Sequence, residues 1–551
     1  MSDPTEQADV LNHQFQTAFS EGKSYSEAEF TAKCGMPPND FPVIHDVNIT
    51  ERGVAKLLHS LKPGKAPGPD GINNTILKEL AGEIAPILTI IFQSSIDTGT
   101  LPSDWKDANV TPIFKKGEQY EPANYRPVSL TSVCCKVLEH ILTSTIMDHL
   151  ERHGVLCQQQ HGFRKRRSCE TQLLDFADEL VNNMAQGKQT DVLVLDLAKA
   201  FDRVNHSLLI HKLRHYGVQG ALNQWIADFL RDRRQAVVVD GVRSNSVSVQ
   251  SGVPQGSVLG PCLFLVYIND LPDLLTAHAR LFADDTAAYD VVTSPDDQAH
   301  LQRNLDQLAV WEKRWDMAFH PGKCTTLPVT RSRKPPLQHQ YQLHGHTLET
   351  VSSVKYLGVT LTKDLTWNEH INTICSKANK TLGFLRRNLK IGSQRIKETA
   401  YKTYVRPLME YAVTVWDPHT QKSVDRLEAI QRRAARFVLR RHRNTSSVSA
   451  MLDELRWPSL EDRRRTARLS MLYRIRHDLV CVDGIKGKLQ PPPARPRRGH
   501  DQQYAQLQCR TQYHQQSFLP RTICDWNSLP QDVVEAKTID TFVSRASRLM
   551  K

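Results

Sequence analysis

Hydrophobic and polar positions change period several times along the chain, and each change marks an element. The apolar, β-branched run Asp191–Leu197 (DVLVLDL) predicts a buried strand. Gln235–Asp240 and Ser246–Gln250 alternate as strands do, with Gly241–Asn245 as the expected hairpin connection. Arg280–Ala283 and Thr286–Val292 are short strand-like runs with only Asp284 and Asp285 between them. His206–Tyr216, Ala221–Leu230 and Pro295–Ala318 carry helical spacing, as does Thr50–Ser60, where Thr50 is placed to cap the first turn. The polar start holds one amphipathic piece, Val10–Phe19. Lys62–Gly71 (KPGKAPGPDG) is too rich in Gly and Pro for regular structure and lacks the spacing of a phosphate-binding P-loop. From Ala81 to about Leu361 helices and strands alternate, as in an α+β or α/β domain. Beyond Lys363 the pattern turns helical and arginine-rich, broken by the linker-like Pro491–Pro496. The longest nearly apolar stretches, Ile84–Phe92 and Cys262–Ile268, fall far short of the roughly 20 residues a membrane span requires.

Composition adds little until charge is read by region. The chain has 551 residues, 40% hydrophobic and 24% charged, ordinary for a globular protein of two to four domains. Eleven cysteines with no C-x-x-C pair suit reduced thiols better than a disulfide framework. The start, MSDPTEQADV, is acidic and polar, unlike a targeting peptide. The net charge of +12 is divided unevenly: residues 363–551 hold 36 Lys and Arg against 18 Asp and Glu. Of the chain's 71 basic and 59 acidic residues, that leaves 35 and 41 for residues 1–362, a net −6. A slightly acidic body joined to a strongly basic third fits a protein that handles a polyanion. Within that third, Arg432–Arg436, Arg440–Arg443 and Arg463–Arg468 cluster. Helical spacing would put Arg432 with Arg436, and Arg464 with Arg468, on faces able to follow a phosphate backbone. The plainer alternative is that these arginines pair with the region's own carboxylates.

Three carboxylates carry the candidate chemistry. Asp284 and Asp285 lie between apolar runs, where an isolated Asp pair would read as a simple turn. Asp196 ends an apolar strand, a poor place for an unpaired charge. If those strands are neighbours, the three carboxylates converge and would repel one another unless a hard cation such as Mg²⁺ relieved them. Two such ions suit in-line phosphoryl transfer.

With these residues in view, the chain resembles the reverse transcriptase of non-LTR (LINE-type, jockey-like) retrotransposons. The motifs that carry the resemblance are KPGKAPGPDGI (62–72), ANVTPIFKKGEQYEPANYRPVSLTSVCCKVLEHIL (108–142) and QQHGFRKRRSCETQLL (159–174). They continue in order with VLDLAKAFDRVNH (194–206), SGVPQGSVLGPCLFLVYINDLP (251–272), FADD (282–285), YLGV (356–359) and LMEYAVTVWDPHT (408–420).

The resemblance implies an α+β, right-hand polymerase of fingers, palm and thumb with an antiparallel palm sheet, followed by a mainly helical basic region. On that basis residues 1–49 are a polar lead, 50–185 the fingers side and 186–362 the palm, within a polymerase core of about 96–362. Residues 363–480 become thumb and basic helices, and 481–551 a Pro- and Arg-containing tail. The implied activity is RNA-directed DNA synthesis from a DNA 3′ end with dNTPs, using two Mg²⁺ with Mn²⁺ as a substitute. Asp196, Asp284 and Asp285 match the metal-holding carboxylates. Phe201 matches an aromatic ring under the sugar of the incoming nucleotide, where it would exclude a 2′-hydroxyl. Gln255 and Gly256 match residues packing against the templating pair, and Arg126, with Lys115 and Lys116 nearby, a grip on the triphosphate. Lys323 matches a lysine that protonates the departing pyrophosphate. Tyr356, Leu357 and Gly358 match a hairpin supporting the primer end, and Asp202 has no assigned role.

The implied partners are an RNA template, a DNA primer or target and dNTPs, in cytoplasm and nucleus, with no membrane and an open oligomeric state. Fewer than 100 residues precede the fingers motifs, too few for the endonuclease of complete elements, so a fragment or decayed copy is expected. His500, Cys509, His514 and Cys524 lack zinc-knuckle spacing, and no ribonuclease H carboxylate set follows Lys363. The alternative from another class is a nucleic-acid-binding remnant, decayed or domesticated.

Overall fold

The computed structural model describes residues 3–37, 41–390, 392–441, 443, 447–493 and 499–549. The chain divides into two compact units, each assembled from separate stretches.

The first unit holds residues 1–163, 196–276 and 303–320. Its sheet is built from β1 (Asp107–Phe114), β2 (Tyr125–Leu130), β4 (Arg234–Val239), β5 (Val242–Arg243) and β6 (Val247–Ser248), in order β2-β1-β4-β5 with β6 also on β4. β1 pairs antiparallel with β2 and parallel with β4. The predicted pair of strands is therefore three, because the two-residue turn Asp240–Gly241 closes a tight hairpin between β4 and β5 before the chain returns as β6. The expected polar lead carries two helices, Pro4–Gln16 and Glu27–Cys34. Ala8, Leu11 and Phe15 of the first pack with Val110 and Val237 of the sheet. Thr50 caps the helix Glu51–Ser60, its side chain accepting from the Gly53 N–H. The helix Leu259–Ile268 is apolar on every side and buried at every residue but Pro261, as a central core helix must be.

The second unit holds residues 164–195, 277–302 and 321–551. Its five-stranded sheet runs β12-β9-β3-β8-β7, from β3 (Gln189–Asp196), β7 (His278–Phe282), β8 (Asp285–Val292), β9 (Thr325–Val329) and β12 (Glu349–Thr350). β9 lies antiparallel to β3, and β7 antiparallel to β8. Two small hairpins follow β9: β10 (Gln342–Leu343) with β11 (His346–Thr347), and β13 (Ser353–Tyr356) with β14 (Val359–Thr362). One hydrophobic core joins Val192, Ala287, Tyr289 and Leu327 of the sheet to Phe176 and Leu180 of the helix Cys169–Ala185. The same core continues through Leu382, Trp416, Leu427, Leu472, Trp526 and Phe542. The basic third and the sheet thus share a single apolar interior. Of the tract Pro491–Pro496, residues 494–496 lie outside the described residues. Among the described residues no helix is long and apolar enough to cross a membrane.

Candidate active site

The Asp-Asp segment is a tight hairpin, but its tip is one residue earlier than the sequence suggests. Phe282 pairs with Asp285, so Ala283 and Asp284 form the turn and Asp285 is the first residue of β8. Ala283 has φ +53°, the left-handed region that costs a non-glycine residue roughly 1–2 kcal/mol. The flanks explain why the turn holds: Leu281, Thr286, Ala287, Ala288 and Tyr289 are all buried. β7 is tied down by Arg280, which donates to Asp175 (2.7 Å), Glu179 (3.0 Å) and the Tyr289 hydroxyl (3.0 Å). Burial works against the Arg280 charge, yet these partners outweigh it and raise its pKa. Sheet order places β3, ending at Asp196, next to β8. Lys323 is exposed and lies two residues before β9, whose first residue pairs with Val194.

The segment around Tyr356, Leu357 and Gly358 is a hairpin, β13–β14, with Leu357 and Gly358 as its tip. Tyr356 does not face outward. It is 2% exposed and its hydroxyl accepts a hydrogen bond from Gln172 Nε2 (2.7 Å), while burial raises its pKa. Any contact at this hairpin therefore falls to the tip. Tyr411 supports that tip, its hydroxyl donating to the Leu357 carbonyl (2.9 Å). Tyr411 and Gln172 lie within the motifs LMEYAVTVWDPHT and QQHGFRKRRSCETQLL, but nothing in the sequence sets them apart there; Gln172 differs only as a polar residue on a buried helix face.

The first unit gathers the remaining candidates. Phe201 stacks on Phe264 with centroids 4.3 Å apart and meets Phe163 edge-on at 6.3 Å. Gln255 donates from Nε2 to Asp202 Oδ1 (2.7 Å) and accepts at Oε1 from Arg126 Nε (3.3 Å). Gly256 has φ +124°, and a Cβ there would lie 2.3 Å from the Ser129 carbonyl oxygen, so this loop can rest on β2 only with glycine. Glu139, fully buried, accepts from the N–H groups of Val258 (2.6 Å) and Leu259 (2.9 Å) and so anchors the far end of the loop. Burial raises the pKa of Asp202, opposed by the Gln255 hydrogen bond and by Lys199, Lys115 and Arg126. Lys115 and Lys116 are both exposed just beyond β1.

Among the described residues no three His, Cys, Asp or Glu side chains form a group able to hold a metal unaided. Mg²⁺ rarely relies on an all-protein cage. It takes one or two carboxylates together with substrate phosphates and water, and Asp196, Asp284 and Asp285 supply hard oxygen donors of that kind.

The arginine clusters separate into two classes. Arg464 and Arg468 do not form a phosphate-following face: they are 1% and 3% exposed, and each donates from Nε to Asp417 at 2.8 Å. Their helix is surrounded by core, so a carboxylate must meet each charge. Arg521 joins the same carboxylate at 3.2 Å, and Asp525 takes Arg468 (3.0 Å) and Arg465 (2.9 Å). Arg432 and Arg433 are exposed instead, and Arg436 is half-buried. In the cluster Arg440–Arg443, His442 lies outside the described residues.

Residues 113–361 match the model of the reverse transcriptase (RNA-dependent DNA polymerase) family. The chain is 30% identical over 404 residues to a probable RNA-directed DNA polymerase from transposon BS of Drosophila melanogaster, covering 70% of this chain and 44% of the relative. It is also 30% identical over 409 residues to the RNA-directed DNA polymerase from mobile element jockey of Drosophila funebris, covering 71% and 44%. To the corresponding protein of the Drosophila melanogaster X-element it is 29% identical over 402 residues, covering 70% and 43%. The chain thus spans less than half the length of these curated relatives.

Proposed function

Because the chain carries a reverse transcriptase domain like that of the jockey-type non-LTR polymerases, we propose that it is an RNA-directed DNA polymerase extending a DNA 3′ end with dNTPs on an RNA template. The observation that carries this reading is the Asp284–Asp285 hairpin, next in the sheet to the strand that ends at Asp196 and inside the matched segment. In this reading the β3 sheet is the palm, the β1–β2 region belongs to the fingers and the helices after Lys363 include the thumb. Asp196, Asp284 and Asp285 would hold two Mg²⁺, which activate a 3′-hydroxyl and stabilise the leaving pyrophosphate. Arg126 and Lys115 would grip the triphosphate, and the exposed Lys323 would give a proton to the pyrophosphate. Phe201, held rigid against Phe264, would close the space a 2′-hydroxyl needs. Phe201→Val should then admit rNTPs, raising their use relative to dNTPs by roughly tenfold or more; unchanged selectivity would leave Phe201 a core aromatic.

Primer extension on poly(rA)/oligo(dT), with and without Mg²⁺, tests the proposal. Mg²⁺-dependent extension is the expected outcome. Binding of the template-primer with no extension under either condition would favour a nucleic-acid-binding remnant instead.

A further inference from the structure

Arg126, Gln255 and Asp202 form one line of hydrogen bonds in which chemistry fixes every role. A guanidinium can only donate and an ionised carboxylate can only accept. The Gln255 amide therefore satisfies both neighbours in one orientation, Nε2 toward Asp202 (2.7 Å) and Oε1 toward Arg126 (3.3 Å). Turning the amide over would set oxygen against carboxylate and N–H against N–H. The line runs inward from the exposed Arg126 on β2 to the half-buried Asp202 in the turn Ala200–Asp202.

The backbone around the line is fastened at both ends. The Ser129 N–H donates to the Gln255 carbonyl (2.7 Å), joining the loop to β2. On the other side the Gly252 N–H donates to Val204 (2.8 Å), the Val253 N–H to Phe201 (2.8 Å), and the Ser251 hydroxyl to the Asp202 carbonyl (2.7 Å). A Cβ on Gly252 would stand 2.7 Å from Asp202 Cα, so loop and turn pack backbone to backbone. With the main chain held this way, the free variable at Gln255 is its side chain, and Asp202 controls it. Phe201, the adjacent residue in the same turn, is itself locked by stacking on Phe264.

We propose that Asp202 is a positioning residue for nucleotide binding. It sets the Gln255 amide and, through it, the Arg126 guanidinium before a nucleotide arrives, so that their ordering is not charged against binding. This proposal rests on the polymerase reading given above. It separates Asp202 from the metal-holding carboxylates: its function is exercised on Gln255, and it touches no reacting atom.

The test is steady-state extension of poly(rA)/oligo(dT) by the wild type, Asp202→Ala, Asp202→Asn, Gln255→Ala and the double variant Asp202→Ala/Gln255→Ala. Asp202→Ala should raise the KM for dTTP about tenfold while kcat stays within about threefold. Asp202→Asn keeps an oxygen acceptor for Nε2 and should stay within about threefold of the wild-type KM. The double variant should be no worse than Gln255→Ala, because no amide remains to be oriented. Additive losses in the double variant, a fall in kcat with unchanged KM, or Asp202→Asn as impaired as Asp202→Ala would each overturn the proposal. An active wild type with no KM change in Asp202→Ala removes this relay alone. A wild type that extends no primer removes the polymerase reading and the relay with it.

Discussion

Two arginine-rich helices of the second unit, Gln421–Leu439 and Leu460–Arg476, look alike in sequence and are used in opposite ways. The first is amphipathic, burying Val424, Leu427, Ile430, Ala434 and Phe437 while Arg426, Arg432 and Arg433 stay exposed. The second is buried on most of its circumference, and Arg464 and Arg468 turn inward to a carboxylate brought from elsewhere in the chain, while Arg474 at its end stays exposed. Asp417 serves Arg464, Arg468 and Arg521, while Glu410 takes Arg463. The difference is one of neighbours. A helix with core on nearly every side leaves its cations no water, so each must be paired or pay the full desolvation penalty. A helix with one free face keeps its cations hydrated and available.

The free face has a partner stripe. The helix Asn368–Asn388 runs alongside 421–439 in the same direction, through Ser423 to Asn368, Arg433 to Asn379 and Arg440 to the Lys390 carbonyl. Lys377 and Lys380 stand exposed on one helix, Arg426 and Arg433 on the other, with Phe384 exposed at 57% beside them. Among the described residues, none of these four cations pairs with a carboxylate. Cations flanking an exposed ring suit a single strand, whose phosphates and bases they meet together.

This contrast can be broken by experiment, beginning with the largest effect. Asp417→Ala should leave Arg464 with no carboxylate and Arg468 with Asp525 alone, and cost about 3–5 kcal/mol in denaturant unfolding. Stability within about 1 kcal/mol of wild type would mean those arginines find water or another partner. Next, Asp284→Asn or Asp196→Asn should remove at least about 100-fold of extension activity, ~2.7 kcal/mol in the barrier, with RNA affinity unchanged. A parallel fall in affinity would mean that chemistry and grip are not separable. Replacing Lys377, Arg426 and Arg433 together by alanine should flatten the log–log salt dependence of RNA binding by roughly two units and leave the melting temperature nearly unaltered. An unchanged slope would mean that these three cations do not meet RNA phosphates. The smallest effect is expected at Arg465, whose pair with Asp525 is 41% exposed on the arginine side. Arg465→Ala should cost no more than about 1 kcal/mol, and the salt slope should not move.

Removing residues 363–551 as a block would not answer these questions. Trp416, Leu472, Trp526 and Phe542 share a core with Val192 and Tyr289 of the sheet, so truncation would open the interior that supports the Asp284 hairpin.

Much of the site was legible because its signals are local. A β-branched run must be a strand, two apolar runs two residues apart must form a hairpin, and Thr50 caps the helix after it. The exact hairpin tip escaped, since a left-handed Ala283 has no sequence signature. The motif grouped Tyr356 with Leu357 and Gly358, yet Tyr356 is buried, because a motif records position along the chain and not which side of a sheet is covered.

The sequence by itself determined the strands and helices, the three carboxylates and the uneven distribution of charge, all of which follow from residue order and spacing. Only the tertiary structure decided which charges are free. Asp417 lies 47 residues from Arg464 and 51 from Arg468, and Asp202 lies 53 from Gln255. Partners that far apart are chosen by packing, which spacing along the chain does not encode.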